Sequence, residues 1–350
     1  MKALLLREYE QLEMAEMPAP EPQADELLVR VEACGICGSD VHGYDGSSGR
    51  RIPPLVMGHE AAGTVVALGA ECERYAVGDR VTFDSTVYCG RCVYCLRGQV
   101  NLCEERQVLG VSCGDYRRMG AFAEMVAIPE RIAYRLPEGL SFAEAAMLEA
   151  VSVAMHAVRL TPPAKGETAV VIGAGMIGAL TAQAARGYGY ERVVVADVDE
   201  NRLKLIRELG FEDALQATGE DLVGQVFAMT EGRGADAVFE AVGKNETVNV
   251  AIDCARKGGR VTLIGNVTPS VTLPLQKVVS RELRLQGSAA SAGEYPKAMD
   301  WMQEGKIRVK PLISAIAPLE EGAEWFARLY GREPGLMKVI LAPQGVEAAK

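Results

Sequence analysis

The chain has 350 residues, 49% of them hydrophobic and 24% charged, and a net charge of −10. That length suits roughly two domains, with cores large enough to need no disulfide staples. The acidic balance disfavours phosphate backbones and anionic bilayers, no apolar run reaches the ~18 residues of a membrane span, and Met1 to Leu6 is too short for a signal segment, so neither nucleic acid nor membrane is an expected partner.

In chain order, residues 1–150 read as β-rich and irregular. Glu26 to Val31, Gly63 to Leu68 and Asp79 to Phe83 are short, rich in Val, and bounded by Gly, Pro or Asp. They suggest a small barrel-like domain with long functional loops. The texture changes at Ser141. Ser141-Phe142-Ala143-Glu144 fits a capping box, and the Ala-rich run behind it reads as a helix, followed by a second over Val151 to Arg159. Strands and helices then alternate. Strands are expected at Thr168–Ile172, Arg192–Ala196, Ala235–Glu240, Arg260–Ile264 and Leu283–Gln286, with helices such as Ala179–Arg186, Glu200–Leu209 and Lys244–Lys257 between them. The fold class is therefore α/β, a β-rich domain plus a doubly wound parallel sheet.

Gly173-Ala174-Gly175-Met176-Ile177-Gly178 follows the apolar strand and opens a helix, the context a dinucleotide site requires. Gly173 allows the tight turn, Gly175 the approach of a pyrophosphate, and Gly178 close helix packing. The diphosphate would rest on the helix N-terminus. Asp197 ends the next strand, nineteen residues after Gly178. Its carboxylate can accept from both ribose hydroxyls and repel a 2′-phosphate, so NAD is expected over NADP. Arg202 lies over the adenine or weakens that preference. Val242, Ile264, Gly265 and Ser288 complete the candidate cofactor residues.

Nine cysteines are few for this length, but seven lie between Cys34 and Cys103, which points to metal or redox chemistry in a reducing, cytoplasmic setting. Cys89, Cys92, Cys95 and Cys103 can close a tetrahedral shell with no open position, hence a structural Zn²⁺. An iron–sulfur cluster or disulfides are the competing readings. A second, scattered set comprises Cys37, His59, Glu60 and Glu149. Thiolate, imidazole and carboxylate suit zinc. Singly, Cys37 also reads as a small buried residue, His59 as a turn residue and Glu149 as a solvated helix residue. Of the remaining thiols, Cys113 beside Gly114-Asp115 is the one to watch.

Taken together, Gly35-Ile36-Cys37-Gly38-Ser39-Asp40, Gly58-His59-Glu60, Val77-Gly78-Asp79-Arg80-Val81, the four-cysteine stretch, Gly120-Ala121-Phe122-Ala123-Glu124 and the nucleotide fingerprint resemble the zinc-dependent medium-chain dehydrogenases, from about residue 2 to 342. The resemblance implies a GroES-like catalytic domain over 1–152, completed by 288–350, and a Rossmann NAD-binding domain over 153–287, with the active site in the cleft between them. It implies that Cys37, His59, and Glu60 or Glu149 hold a catalytic zinc. A secondary alcohol would pass its hydride to NAD⁺ and become a ketone. Ser39 would take the alcohol proton and His42 pass it on; alternatively Ser39 caps the following helix and His42 is a surface residue. Homo-dimers or tetramers pairing through Leu283–Gln286 are expected.

The polyol branch of that family has Glu-Pro-Leu-Ser-Val where this chain has Glu149-Ala150-Val151-Ser152-Val153, so the carboxylate is kept and the proline is not. A substrate-holding Arg-Tyr pair of sorbitol dehydrogenases aligns with Ala290 and Ser291, and a tyrosine after the histidine aligns with Gly43. Both departures weigh against sorbitol itself. Other polar candidates are Tyr44, Asp45, Arg50 and Arg51, and Tyr116, Arg117 and Arg118. Their arginine pairs either grip a phosphate or carboxylate, as in a sugar-alcohol phosphate, or are solvated loop charges. A threonine-dehydrogenase-like oxidation of an amino alcohol is the alternative activity. A non-catalytic zinc- and NAD-binding protein is the alternative of another class.

Overall fold

A computed structural model describes residues 1–113 and 116–350; Gly114 and Asp115, beside Cys113, lie outside the described residues. The chain divides into two units. Met1–Glu149, Tyr295–Met299 and Ile313–Lys350 form the first, and Ala150–Glu294 with Asp300–Leu312 the second.

In the first unit, the Val-rich segments become the strands Glu26–Gly35, Glu60–Leu68 and Arg80–Phe83. They lie in a seven-stranded sheet. Its order is Ala133–Arg135, Arg80–Phe83, Glu60–Leu68, Glu26–Gly35, Lys338–Ala342 and Ile313–Pro318, with Met125–Pro129 also paired to Glu26–Gly35. Alternation places Leu27, Val29 and Val31 in one core with Leu4, Leu6, Phe83, Phe122 and Phe326. Each such side chain contributes about 1.5–3 kcal/mol by leaving water. The register matters for function. Gly35 pairs with Glu60 on one side and Ile340 on the other. One end of the sheet therefore gathers the residues just after Gly35, those around Glu60 and the start of Lys338–Ala342. The capping box at Ser141 forms as expected. Its hydroxyl accepts from the Glu144 N–H at 3.3 Å, starting the helix Phe142–Ala146. The next helix, Leu148–Arg159, begins with Glu149 in its first turn.

The second unit holds a six-stranded parallel sheet. Its order is Ala214–Gln216, Arg192–Asp197, Thr168–Ile172, Ala235–Glu240, Ala255–Leu263 and Arg284–Gly287. Strand order reverses beside Thr168–Ile172, which creates a binding crevice at the carboxyl ends of the strands. Val170, Val171 and Val194 are almost fully buried, as strands covered on both faces require. The helix expected through Lys257 stops at Cys254. Ala255 turns to extended backbone and pairs with Ala235, so sheet pairing overrides the local helical pattern. Residues 300–312 join this unit because Trp301 packs edge-on to Tyr188 at 4.9 Å and the Arg308 N–H donates to Gln183 at 2.7 Å. Among the described residues, no helix is long and apolar enough to cross a membrane.

Candidate active site

Strand Glu26–Gly35 delivers Cys37 to the N-terminus of the short helix Gly38–Tyr44, where its sulfur accepts the Ser39 N–H at 3.4 Å. His59 and Glu60 arrive at the start of the neighbouring strand. The ligand atoms of Cys37, His59 and Glu60 lie within 4.8 Å of one another. Glu149 lies outside that trio but close to it, accepting from the Ser85 hydroxyl at 3.4 Å. Thiolate, imidazole and carboxylate in one small space fit zinc. Asp40 lies behind the histidine, its Oδ1 at an ion-pair distance of 3.4 Å from His59 Nδ1 without a formed hydrogen bond, the position from which an outer-shell carboxylate orients a metal-binding histidine.

Charge in this pocket is strongly coupled. Burial alone would raise the Asp40 pKa, but His59 and Arg51 outweigh it and hold the carboxyl well below its usual range. Burial alone would lower the His59 pKa; Asp40 and Cys37 reverse this and raise it well above normal. The two glutamates differ. Glu60 is bonded by the buried Lys338 ammonium, which also donates to Ile36 O at 3.0 Å. Burial, with Glu60 and Asp84 adding to it, pushes Glu149 up to about 7. Nothing in the sequence pattern singled out Lys338. Its one signal was a cation opening an apolar strand.

Ser39 donates to the Cys37 sulfur at 3.3 Å and accepts from Arg51 Nη2 at 3.1 Å. It therefore does not cap its helix; Cys37 does. His42 is exposed in the last turn of the same helix. One arginine of each pair is engaged within the protein. Arg51 is buried against Asp40, and Arg118 is spent on Glu26 and Gln107. Arg117 donates to Pro53 O at 3.2 Å. Tyr44 and Asp45 are also structural, Tyr44 bonding Glu10 O and Asp45 accepting from Tyr330 at 3.0 Å. Gly43 is explained by space. A Cβ there would fall 2.1 Å from Arg51 Cγ, so no tyrosine fits.

The second cluster is Cys89, Cys92, Cys95 and Cys103, with all four sulfurs within 4.8 Å of one another and none in a disulfide. Cys92 and Cys95 sulfurs are 3.5 Å apart, Cys89 and Cys95 4.0 Å. Tetrahedral Zn–S bonds of about 2.3 Å place sulfurs about 3.8 Å apart, so the set fits zinc. Gly90 and Gly98 take left-handed backbone, φ 77° and 74°, to fold the loop back.

In the second unit, the candidate cofactor residues collect at the carboxyl ends of the parallel strands. Gly173 has φ 97°, Gly175 faces open space, and a Cβ on Gly178 would lie 1.7 Å from Gly173 O. Gly173 and Gly178 thus supply the turn and the packing, and Gly175 leaves room beside them. Met176 and Ile177 open the helix Met176–Tyr188, whose N-cap, Gly175, brings no side chain to its free N–H groups. The Asp197 carboxylate is fixed by the Ala174 N–H at 2.6 Å and the Asp199 N–H at 2.9 Å. Arg202 Nη1 lies 3.5 Å from it. Val242, Ile264 and Gly265 follow adjacent strands, with the Ile264 and Gly265 N–H groups both bonded to Glu240 O at 2.8 and 3.0 Å. Ser288 follows the last strand of this sheet, its buried hydroxyl without a partner among the described residues.

Comparison with known proteins identifies the family. Residues 23–138 match the alcohol dehydrogenase GroES-like domain, and residues 177–304 the zinc-binding dehydrogenase family. The chain is 29% identical to a sorbitol dehydrogenase of Bacillus subtilis, covering 98% of this chain and 97% of that one. A zinc-binding dehydrogenase from Sinorhizobium meliloti 1021 bound to NADP superposes with TM-score 0.88 and 32% identity, covering 98% and 99% of the two chains. An Escherichia coli CFT073 alcohol dehydrogenase complexed with NADH gives TM-score 0.89 and 31% identity, again covering 98% and 99%. With two candidate metal clusters and a parallel sheet of the dinucleotide-binding type in place, the chain belongs to the zinc-dependent alcohol dehydrogenase family.

Proposed function

We propose that the protein oxidises a secondary alcohol of a polyol or sugar alcohol to a ketone, with NAD⁺ as hydride acceptor. The observation that carries this reading is the convergence of Cys37 and His59 with two carboxylates, Glu60 within 4.8 Å of them and Glu149 close by, with the Ser39 hydroxyl against the cysteine sulfur. The similarity to a sorbitol dehydrogenase supports the polyol class. Zinc, when bound, supplies Lewis acidity that lowers the pKa of the alcohol, and NAD⁺ supplies the acceptor carbon for its hydride.

Cys37 and His59 would hold the ion with a carboxylate. Glu149 is the better third ligand, because Lys338 already claims Glu60. Ser39 would take the alcohol proton and release its own toward His42, three residues along the same helix, once its hydroxyl turns from the Cys37 sulfur it faces here, and His42 would pass it to solvent. Asp197 selects NAD⁺ over NADP⁺ by accepting the ribose hydroxyls, with Arg202 moderating the preference. The four cysteines would hold a structural zinc. Phosphorylated and carboxylate-bearing substrates have less support, since Arg51 and Arg118 are engaged within the protein.

A second copy of the chain is the expected partner. The strand Arg284–Gly287 is an open sheet edge, and Leu275 and Val279 beside it are 69% and 66% exposed.

An absorbance assay for NADH, run across polyols, sugar-alcohol phosphates and amino alcohols with and without a zinc chelator, tests the reading. Chelator-sensitive turnover of polyols is expected. Turnover of amino alcohols alone points to the threonine-type reaction, and no turnover of any alcohol by the zinc-loaded protein contradicts an enzymatic role.

A further inference from the structure

Arg51 has no place in the proposed chemistry, yet it is among the most completely engaged cations in the first unit. Its guanidinium gives Nε and Nη2 to Asp40 Oδ1 at 3.1 and 2.8 Å, Nη2 to Ser39 Oγ at 3.1 Å and Nη1 to Arg50 O at 3.4 Å. Arg51 is 3% exposed and Asp40 is fully buried. We propose that Arg51 is a positioning residue for the open metal site, seated on Gly43 and locking Ser39 and Asp40 into one unit. The inference rests on the reading that Cys37 and His59 hold a catalytic ion.

Three observations carry it. The first is polarity. A guanidinium has only donors, so Ser39 Oγ must accept from it, and the serine's own proton is directed elsewhere. The nearest acceptor is Cys37 Sγ at 3.3 Å. Arg51 thereby sets one direction along the chain Arg51 to Ser39 to Cys37. The second is the shared carboxylate. Asp40 Oδ1 lies 2.8 Å from Arg51 and 3.4 Å from His59 Nδ1, while Oδ2 has no partner among the described residues. Removing the guanidinium would leave a buried carboxylate steadied by the histidine alone, free to rotate away from it. The third is the seat. The Arg51 stem crosses Gly43 so closely that a Cβ there would lie 2.1 Å from Cγ and 2.9 Å from Cβ of Arg51. Glycine at 43 and arginine at 51 form a matched pair. A lysine could neutralise Asp40, but its single ammonium would not also present a fixed fork to Ser39.

The test uses the full-length zinc-loaded protein and the variants Arg51→Met, Arg51→Lys and Gly43→Ala. Zinc per chain is followed during chelator challenge, with the four-cysteine zinc as internal reference. Co²⁺ is exchanged into the open site to read its thiolate absorption band, and NADH affinity reports on the second unit. Arg51→Met and Gly43→Ala should lose the open-site ion roughly 10- to 100-fold faster, the range for losing an outer-shell partner. Both should shift the cobalt–thiolate band in the same direction and leave NADH affinity unchanged. Arg51→Lys should fall between them and wild type. Wild-type ion retention with an unmoved band in the variants overturns the inference. Wild-type protein that binds only the four-cysteine zinc overturns the metal reading beneath it. If Arg51→Met does not fold, Gly43→Ala and Arg51→Lys decide by the same two readouts.

Discussion

Cys37 carries more than one duty. It caps its helix, receives the Ser39 hydroxyl and would offer its sulfur to the ion. Cys37→Ser should cut turnover by more than the roughly 10–100-fold that an outer-shell loss costs, while NADH affinity stays near wild type; turnover and NADH titrations check both halves. The two glutamates offer a sharper comparison. Glu149→Gln should release the open-site zinc. Glu60→Gln should retain it, because Glu60 already neutralises Lys338. Zinc analysis of the two proteins separates them, and the opposite pattern would assign Glu60 as the ligand. At the cofactor, Asp197→Ser should narrow the NAD⁺ preference by about tenfold, or about 1.4 kcal/mol, read as the ratio of Kd values for NADH and NADPH. The candidate ligands were legible as types and spacings. Their outer partners were not, since Asp40, Arg51 and Lys338 gain their roles only when the strands bring them together.

Helices and strands with a local signature were the most readable elements. The capping box at Ser141 and the glycine fingerprint act over a few residues, so they survive without tertiary information. Elements set by pairing were not readable to the same degree. The helix cut short at Cys254 yields to sheet register, and Ala214–Gln216 is too short to announce itself. One element-level contact invites a pH test. His156 on Leu148–Arg159 meets Glu294 at 2.9 Å, and Arg159 meets it at 2.6 Å. Burial alone would raise the Glu294 pKa, but His156, the Ala292 N–H and Arg159 outweigh it and lower it. A carboxylate with a lowered folded pKa stabilises the protein above its ordinary value of 4.5, and that stability drains as pH falls through the folded value. Glu294→Gln should therefore lower Tm at neutral pH, by about 3 kcal/mol in stability, and flatten the acid side of the Tm–pH curve.

Across the molecule, fold class was readable because alternating strands and helices admit few arrangements, whereas a β-rich unit with long loops admits many. The register that places Glu60 beside Gly35 and Lys338 had no sequence signal. Assembly can be tested at the open edge. Gly287→Pro removes an N–H that faces away from the neighbouring strand, since Ser288 N–H bonds inward to Leu263 O, so light scattering should show smaller particles than wild type, with unit-level folding preserved by circular dichroism. The central claim is that the ion held through Cys37 and His59 makes the alcohol reactive. Its most direct test is protein stripped of that ion alone, with the four-cysteine zinc verified by metal analysis, then assayed for NADH formation on its best polyol. Loss of turnover that returns with added Zn²⁺ is the predicted result, and full-speed turnover by the stripped protein would contradict it.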